Sequence, residues 1–364
     1  MAHEVDSITA DEVHAASAGR PPRGVKHTAA DLGEPSHLGF PWLGVTFGLT
    51  LVVVPLLIVI TGGAHGAWQK WLGFILCAGG TVFIYMLTGD PAFAGRVDQV
   101  WLRNRAGLAM AIPAAGTLAI AIGYAALTGV SVVPWRWAVL AIVVLGTVTL
   151  FRAGRDRSEP VITDALAILL VWMPIEFKLL PDLVVPPFGD RGINLVKMLM
   201  VPFLLWSALF VRRWQDLGYN LYLKLRDLKI ALIAFAAFTV VGLPLALVVK
   251  FVRPSTHLPP VLEIIGRAIA AWAFVALPEE LLFRGLIQNG LMKALRSPLA
   301  GLIVASLIFG AAHLDNPPKI WRYAMLATLA GVAYGWAYMR TRSSVASSIV
   351  HTLVDWVWSV FFHG

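Results

Sequence analysis

Residues 271–287 read AWAFVALPEELLFRGLI, an apolar run that three ionisable side chains interrupt. These are the adjacent Glu279 and Glu280, and Arg284 four residues after the second of them. A charged side chain at the centre of a membrane helix costs about 2.5–3.5 kcal/mol on insertion scales. Ionisable groups in such a position mark polar cavities where chemistry or transport takes place. The run therefore predicts a membrane-spanning helix that carries a functional site.

The composition of the whole chain is that of a membrane protein. Of its 364 residues, 58% are hydrophobic and 14% are charged, whereas soluble domains carry about 25% charged residues. Several apolar runs approach the roughly 20 residues that cross a bilayer as a helix. The alternating pattern of membrane-barrel strands is missing from the sequence. We predict an all-α fold, a polytopic bundle of transmembrane helices with about 11 spans.

The basic residues alternate along the predicted spans. The spans cover about residues 41–61, 71–89, 107–129, 135–151, 161–180, 193–211, 229–250, 262–285, 298–313, 323–340 and 344–362. Arginine and lysine are concentrated in every second connection, at 96–105, 152–157, 212–229 and 340–342. Because cytoplasmic loops carry the excess of basic residues, this pattern predicts a cytoplasmic N-terminus and an external C-terminus.

The net charge of +8 does not indicate a nucleic-acid-binding protein. The basic residues lie between apolar spans, which is where the positive-inside rule places them. We therefore expect the lipid bilayer as a partner and no nucleic acid. The single cysteine, Cys77, cannot form an internal disulfide and does not indicate a redox compartment.

The chain is predicted to have three parts. Residues 1–38 are polar and lack the apolar segment of a signal peptide, so we expect a disordered tail. Residues 39–255 form an N-terminal transmembrane region of unknown role, whose spans are nearly free of charge. Residues 256–364 contain the polar features described below and are predicted to form the functional domain.

A further helix is predicted outside the bilayer, over residues 212–228. Apolar residues recur there at helical spacing: Trp214, Leu217, Leu221, Leu225 and Leu228. Most of the charges point away from this stripe, which is typical of an amphipathic helix on a membrane surface.

Polar and aromatic residues recur at a spacing of four in the last third of the chain. Three pairs have this spacing: Glu280 and Arg284, Phe309 and His313, and His351 and Asp355. Residues four apart share a helix face and can interact. Glu279 is rotated by about 100° from Glu280. One of the two carboxylates is therefore predicted to be structural, and the other is free to face a different neighbour.

These groups allow two kinds of chemistry. A carboxylate and a neutral imidazole can deprotonate a water molecule held between them, and a second imidazole can donate to an oxyanion. Such a set suits the hydrolysis of an amide inside a membrane. One glutamate with two histidines is also a known set of zinc ligands. The spacing alone does not separate these two interpretations.

Each pair also has a structural interpretation. Glu280 and Arg284 alone would be an ion pair that a membrane helix tolerates. His313 lies near a predicted span end and alone would be an interfacial histidine. His351 and Asp355 alone would be a satisfied pair in a bundle interior. Three such pairs in nearby spans are costly unless they converge on one site.

In this order, the motifs resemble those of the CAAX-protease and bacteriocin-processing family, also called CPBP or Abi. The family pattern is Glu-Glu-x-x-x-Arg, then Phe-x-x-x-His, then His-x-x-x-Asn. The chain matches it at Glu279 to Arg284, at Phe309 to His313, and at His351, with Asp355 in place of the asparagine. The resemblance covers about residues 258–360. It implies a C-terminal helical core of the CPBP type and an intramembrane endopeptidase acting on a membrane-associated protein or peptide.

The resemblance also implies roles for individual residues. Glu279 and His313 would activate the attacking water, and His351 would help to form the oxyanion site. Glu280 and Arg284 would pair and hold their helix, with Phe309 in a supporting position. No metal or other cofactor is expected, although a divalent ion such as zinc stays open. An ionised Asp355 cannot donate to an oxyanion. It either stays protonated through burial, orients His351, or reduces the activity.

Three alternatives to this metal-independent protease remain. One is a metal-dependent version of the same protease. Another is a non-catalytic immunity or regulatory protein on the same fold, which the substitution of asparagine by Asp355 favours. The third is a proton-coupled transporter, against which the lack of an internal repeat counts. For each of them we expect an integral protein of a prokaryotic plasma membrane.

Overall fold

The computed structural model describes residues 79–185, 193–214, 217–219, 221, 223–314 and 320–363. These residues are almost entirely helical, which confirms the all-α prediction. The predicted N-terminal tail and the first predicted span, at about 41–61, lie outside the described residues. The division into parts at residues 38 and 255 stays a prediction.

The helices follow one another along the chain with short connections. They are α1 Gly79–Thr88, α2 Pro91–Arg96 with a π-helical continuation Val97–Leu102, α3 Ala106–Thr128, α4 Pro134–Ala153, α5 Ile162–Glu176, α6 Leu195–Trp206 with a π-helical continuation Ser207–Arg212, α7 Leu225–Val248, α8 Val261–Ala294, α9 Pro298–Ala311, α10 Ile320–Thr341 and α11 Ser344–Phe361. Within α8 the turns alternate between α and π: Val261–Ala271 α, Trp272–Ala276 π, Leu277–Glu280 α, Leu281–Gln288 π and Asn289–Ala294 α.

Among the described residues, five helices are long and apolar enough to cross a membrane. They are α3, α4, α6 with its continuation, α7 and α8. The chain is therefore an integral membrane protein, while the count of about 11 spans is not confirmed. Five helices expected as spans fall outside this set: α1, α5, α9, α10 and α11. In α11 the serines and the pair His351 and Asp355 replace the apolar residues that a simple span requires.

Side-chain caps fix where several helices begin. Asn194 accepts a hydrogen bond from the backbone N–H of Lys197 at the start of α6. Ser297 and Ser343 do the same at the start of α9 and α11. Such caps satisfy backbone donors that have no partner within the helix. They set the entry points of the helices that carry the functional residues.

The predicted surface helix over 212–228 is wrong for the residues described before α7. Two apolar residues of its stripe are instead buried in the bundle, with Trp214 6% and Leu217 2% exposed. The carbonyl of Leu217 accepts a hydrogen bond from Ser344 Oγ at 3.1 Å, and that of Gly218 accepts from Ser344 N at 2.8 Å. Gly218 has a φ of 68°, which the regular turns of a helix do not permit. Tertiary hydrogen bonds have therefore replaced helical ones.

The connections that are rich in basic residues lie together at one end of the bundle. Arg213 pairs with Asp98 in α2 and with Asp156 in the α4–α5 connection. Gly218, in the α6–α7 connection, bonds to Ser344 at the start of α11. We call this end the basic face. Because α8 is long enough to cross the bundle and its Gly290 lies beside Trp214, the α8–α9 connection reaches it as well.

One basic residue of this face is structural. Arg212 is 2% exposed and forms two hydrogen bonds to Asp164, at 2.6 and 3.0 Å. Its remaining donors reach the carbonyls of Arg157 and Glu159. A planar guanidinium matches a carboxylate in this two-bond geometry. The pair fastens the α4–α5 connection to the end of α6.

The remaining connections lie at the other end, which we call the opposite face. Tyr124 near the end of α3 donates to the carbonyl of Val184, in the connection between α5 and α6. Two pairs of short antiparallel strands lie at this end: β1 Val184–Val185 with β2 Ile193–Asn194, and β3 Arg253–Pro254 with β4 Phe362–His363. The second pair ties the α7–α8 connection to the end of α11.

Helix α8 is the wall shared by two hydrophobic cores. Leu277, Leu281 and Leu286 pack into the core formed mainly by α1 to α6. Phe283 packs into a second core with residues of α7, α9, α10 and α11. Burying both sides of α8 leaves its remaining side chains, among them the two glutamates, between these cores.

Candidate active site

Glu280 and Arg284 form the ion pair expected from their spacing. Arg284 Nε lies 2.9 Å from Glu280 Oε2, and both side chains are fully buried. The same Oε2 accepts a hydrogen bond from Ser347 Oγ of α11. The pair thus joins α8 to α11, and a buried carboxylate with two donors on one oxygen is well satisfied. This geometry suits the structural role expected of Glu280, which stays a prediction.

Two aromatic rings cover the guanidinium of Arg284. Its Cζ lies 5.1 Å from the centre of the Phe309 ring and 5.8 Å from that of Tyr334. In the described part of the chain, its Nη1 and Nη2 make no hydrogen bond. A cation over a ring face is attracted to the ring electrons. This contact gives Phe309 a defined supporting position beside the ion pair.

His351 is held by carboxylates on both ring nitrogens. Its Nδ1 lies 3.1 Å from Glu280 Oε1, and its Nε2 lies 3.4 Å from Asp355 Oδ2. Glu279 Oε2 lies 3.9 Å from the same Nε2. The ring stacks on Tyr334 with 4.5 Å between centroids. His351 and Asp355 therefore share a helix face as predicted, and they meet the motif on α8.

His313 lies in the turn that follows α9. Its Nδ1 is 2.7 Å from the carbonyl oxygen of Phe309. Because a carbonyl can only accept, Nδ1 carries the proton and Nε2 keeps a lone pair. The ring also contacts Tyr323 of α10, with centroids 4.7 Å apart. His313 thus lies just beyond the end of α9, as its place near a predicted span end indicated.

One cavity of about 130 Å³ brings the predicted residues together. Glu279, His313, His351 and Asp355 all line it, and apolar residues of α7, α10 and α11 form most of the remaining wall. The side chain of Glu279 is 35% exposed, whereas that of Glu280 is fully buried. Glu279 Oε2 has no hydrogen-bond partner in the described part of the chain. The free carboxylate of the adjacent pair is therefore Glu279.

Glu279 also borders a second cavity, of about 370 Å³, which lies between α5, α6 and α8. Its wall is almost entirely apolar and includes methionines and leucines of α6. Val275 and Glu279 line both cavities. Glu279 thus lies on the wall shared by the apolar cavity and the cavity that the two histidines line.

Sequence reasoning missed three contributors to the site. Ser347 bonds to Glu280, Tyr334 stacks on His351, and Tyr323 contacts His313. A signal existed for the serine, because Ser347 precedes His351 by four residues and extends the polar stripe of α11. The two tyrosines of α10 carry no comparable pattern.

In the described ranges, no group of three or more His, Cys, Asp or Glu side chains is arranged to hold a metal ion. His351 uses its Nδ1 toward Glu280, and Nδ1 of His313 faces a carbonyl. The expectation of a metal-free site stays a prediction.

A comparison with protein-family models matches residues 261–357 to the family described as type II CAAX prenyl endopeptidase, Rce1-like. These residues are an Rce1-like domain. The domain runs from the start of α8 into α11 and contains every predicted site residue. This confirms the resemblance carried by the motifs and places the domain in a family of membrane proteases. No match to the chain was found among curated proteins or solved structures.

Proposed function

We propose that the chain is an intramembrane endopeptidase that hydrolyses a peptide bond of a membrane-associated protein or peptide. The observation that carries this proposal is the convergence of Glu279, His313, His351 and Asp355 on one cavity of the Rce1-like domain. Four ionisable side chains around one cavity are costly in a membrane bundle unless they serve a site.

Glu279 and His313 are proposed to activate the attacking water. Glu279 Oε2 has no hydrogen-bond partner among the described residues, and the free lone pair of His313 is on Nε2. The carboxylate takes a proton from the water, and the oxygen attacks the scissile carbonyl carbon. The same proton then passes to the departing amine nitrogen, so the C–N bond breaks and the carboxylate is regenerated.

His351 is proposed to stabilise the oxyanion. Each ring nitrogen faces a carboxylate oxygen, so a ring that satisfies both contacts carries a proton on each nitrogen. The Nε2–H then points toward Asp355 and the cavity, where it can also donate to a developing oxyanion. Of the roles considered for Asp355, this contact favours orienting His351.

Variants of Asp355 separate a positioning role from loss of function. Asp355→Asn keeps an oxygen that can accept from His351 Nε2, so we expect this variant to retain most of the cleavage activity. Asp355→Leu removes the acceptor and should cost about a hundredfold or more in kcat. Steady-state cleavage of a membrane substrate in detergent measures both. Equal losses in both variants, with unchanged thermal unfolding, would refute the positioning role.

Chelation tests whether the reaction depends on a metal. We expect kcat to stay within about twofold after prolonged treatment with a strong chelator, since the proposed water activation uses only a carboxylate and an imidazole. A zinc protease treated in parallel should lose its activity. Loss of cleavage that added zinc restores would establish the metal-dependent version.

The function itself is tested by identifying uncleaved substrates. Membrane fractions of a strain lacking the chain should accumulate full-length polypeptides that disappear when the wild-type chain is returned. Mass spectrometry of new termini measures this and locates the scissile bond. No difference between the strains would argue against a protease. A phenotype rescued equally by the Glu279→Ala and His313→Ala variants would support the non-catalytic alternative.

For the location, we propose a prokaryotic plasma membrane with the N-terminus in the cytoplasm. Support comes from the connections at 96–105, 152–157, 212–229 and 340–342, whose basic residues exceed those of the intervening connections. The contacts that gather them at the basic face show that these connections share one end of the bundle.

A further inference from the structure

The second cavity, on the other side of Glu279, has no part in the proposed mechanism. It encloses about 370 Å³ between α5, α6 and α8. Its wall residues Met200, Leu205 and Ala208 are at most 3% exposed. On the outer surface of α7, by contrast, Val240 is 74% exposed. The cavity is therefore a chamber between packed helices and differs from the surface that any membrane helix presents to lipid.

Two of the three helices around this cavity lie outside the Rce1-like domain. Helices α5 and α6 precede the matched residues 261–357, and α8 belongs to them. The wall from α5 and α6 therefore comes from the part of the chain whose role the sequence did not indicate. An occupant of this cavity would be held between that part and the helix that carries Glu279.

One cationic side chain lies at the end of the cavity where α6 begins. Lys197 lines the cavity, is exposed, and makes no ion pair in the described part of the chain. The neighbouring Asn194 is already satisfied, because its oxygen accepts from the Lys197 N–H and its nitrogen donates to Pro181 and Asp182. The ammonium group of Lys197 is thus the donor that this end offers to a ligand.

The cavity has the length of a lipid chain. Its lining follows α6 and its continuation from Lys197 to Ala208, which is about 16 Å at 1.5 Å per residue. The hydrocarbon layer of one leaflet is about half of 30 Å thick. The span Leu195–Arg212 begins just before Lys197, so its ammonium group is placed at the depth of lipid headgroups. Charge and length together fit an amphiphile with a negative head and one long chain.

A polypeptide segment fits this cavity less well. A helix is about 10–12 Å in diameter, so 16 Å of it would need on the order of 1,000 Å³ or more, against about 370 Å³ in the cavity. An extended strand would bring backbone N–H and C=O groups that need partners. The walls are helices with internally bonded backbones, and the indole N–H of Trp172 already donates to Glu176. A hydrocarbon chain brings no group that needs a partner.

We propose that the second cavity binds one acyl chain of a membrane phospholipid, whose phosphate lies at Lys197. The chain runs along α6 toward Ala208 and fills the space between α6 and α8. Glu279 lines both cavities, so an apolar occupant of the second leaves it the first, where the histidines are. Helices α5 and α6 then hold a lipid against the helix of the predicted catalytic motif. This binding does not depend on the proposed peptidase activity.

Photocrosslinking of the full-length chain in vesicles tests this proposal. The vesicles are phosphatidylcholine with a trace of phosphatidylglycerol that carries a diazirine in the middle of one acyl chain. After irradiation, mass spectrometry locates the labelled residues. We expect label on buried wall residues such as Met200 and Leu205, as well as on lipid-facing residues of α7 such as Val240 and Val248, which are 74% and 77% exposed. The α7 residues serve as the reference within each sample.

Two variants and their matched controls show whether the label reports the proposed site. Lys197→Gln should lower wall labelling about fivefold relative to α7, the effect of one basic residue at a headgroup, whereas Lys250→Gln, an exposed lysine outside this cavity, should not. Val201→Phe narrows the cavity and should lower wall labelling as well. Val241→Phe, the same change on the exposed surface of α7, should leave it unchanged.

Label confined to α7 and other exposed surfaces would show that lipid stays outside the chamber, and this would overturn the proposal. Wall labelling that Lys197→Gln leaves unchanged would also overturn it, because the occupant would then be held by its hydrocarbon alone, as an apolar segment of a substrate would be. Lys197 is exposed, so this variant is expected to fold even if Val201→Phe does not. Labelling requires no cleavage, so a correctly labelled chain without peptidase activity would refute the proposed function alone.

Discussion

Replacing Glu279 by glutamine should lower kcat/KM for cleavage by about 10²–10⁴-fold, the range that a general base contributes. Glutamine keeps the size and the hydrogen-bonding capacity of the side chain, but its amide cannot take a proton from water. The folded protein should be little affected, because Glu279 Oε2 makes no hydrogen bond among the described residues, its contact with His351 Nε2 is long at 3.9 Å, and the side chain is 35% exposed. Initial rates in detergent, with thermal unfolding of the same preparations, measure both quantities.

The matched control is Glu263→Gln, the same change on the same helix. Glu263 pairs with Arg267 near the start of α8, and both side chains are more than a third exposed. Its loss should change neither rate nor stability by more than the small contribution of an exposed pair. A Glu279→Gln enzyme that cleaves as fast as the control would remove Glu279 from the mechanism and with it the proposed activation of water.

The sequence alone predicted that the two adjacent glutamates differ, but not which contacts separate them. Helical geometry rotates neighbours by about 100°, so Glu279 and Glu280 had to face different surroundings. The ion pair of Glu280 with Arg284 follows from their spacing of four. The bond from Ser347 joins residues 67 positions apart, and no local pattern reports such a contact. The contact of Glu280 with Ser347 therefore depends on the packing of α11 against α8.

The segment before α7 shows the opposite case, in which a clear local pattern was misleading. Trp214 and Leu217 have the spacing of an amphipathic helix, yet they are buried against the bundle. The apolar stripe predicted burial correctly and the secondary structure wrongly, because periodicity says which residues avoid water and not what they pack against. Gly218 was the local signal that the helix is interrupted.

His313 and His351 illustrate what a family motif adds. Their spacings from Phe309 and Asp355 predict shared helix faces, but bringing two such faces to one cavity requires the arrangement of α9 and α11 around α8. The resemblance supplied that arrangement before the structure did. The family pattern does not supply the contact between His351 Nε2 and Asp355, at 3.4 Å, because this chain has Asp355 where the family has asparagine.

Replacing Glu280 by alanine should unfold the protein and not only abolish its activity. Glu280→Ala leaves Arg284 fully buried with no carboxylate, and it also removes one of the two acceptors that Ser347 Oγ faces, the other being the carbonyl of Tyr334. Breaking one side of a buried ion pair costs about 3–5 kcal/mol, a large part of the total stability of a domain. We expect a markedly lower unfolding temperature in detergent, or little recoverable protein. Glu263→Ala, which breaks the exposed pair on the same helix, should cost about 0–1 kcal/mol.

A double variant separates the charge from the hydrogen bonds. Glu280→Gln with Arg284→Met removes both buried charges, keeps an oxygen that can accept from His351 Nδ1, and leaves a flexible apolar side chain beside Phe309. Because replacing a whole buried pair is often neutral, the double variant should be more stable than Glu280→Ala, and its cost should be smaller than the sum of the two single changes. If Glu280→Ala instead unfolded at the wild-type temperature, the pair would not hold α8 in place, and the distinction between a structural Glu280 and a reactive Glu279 would be lost.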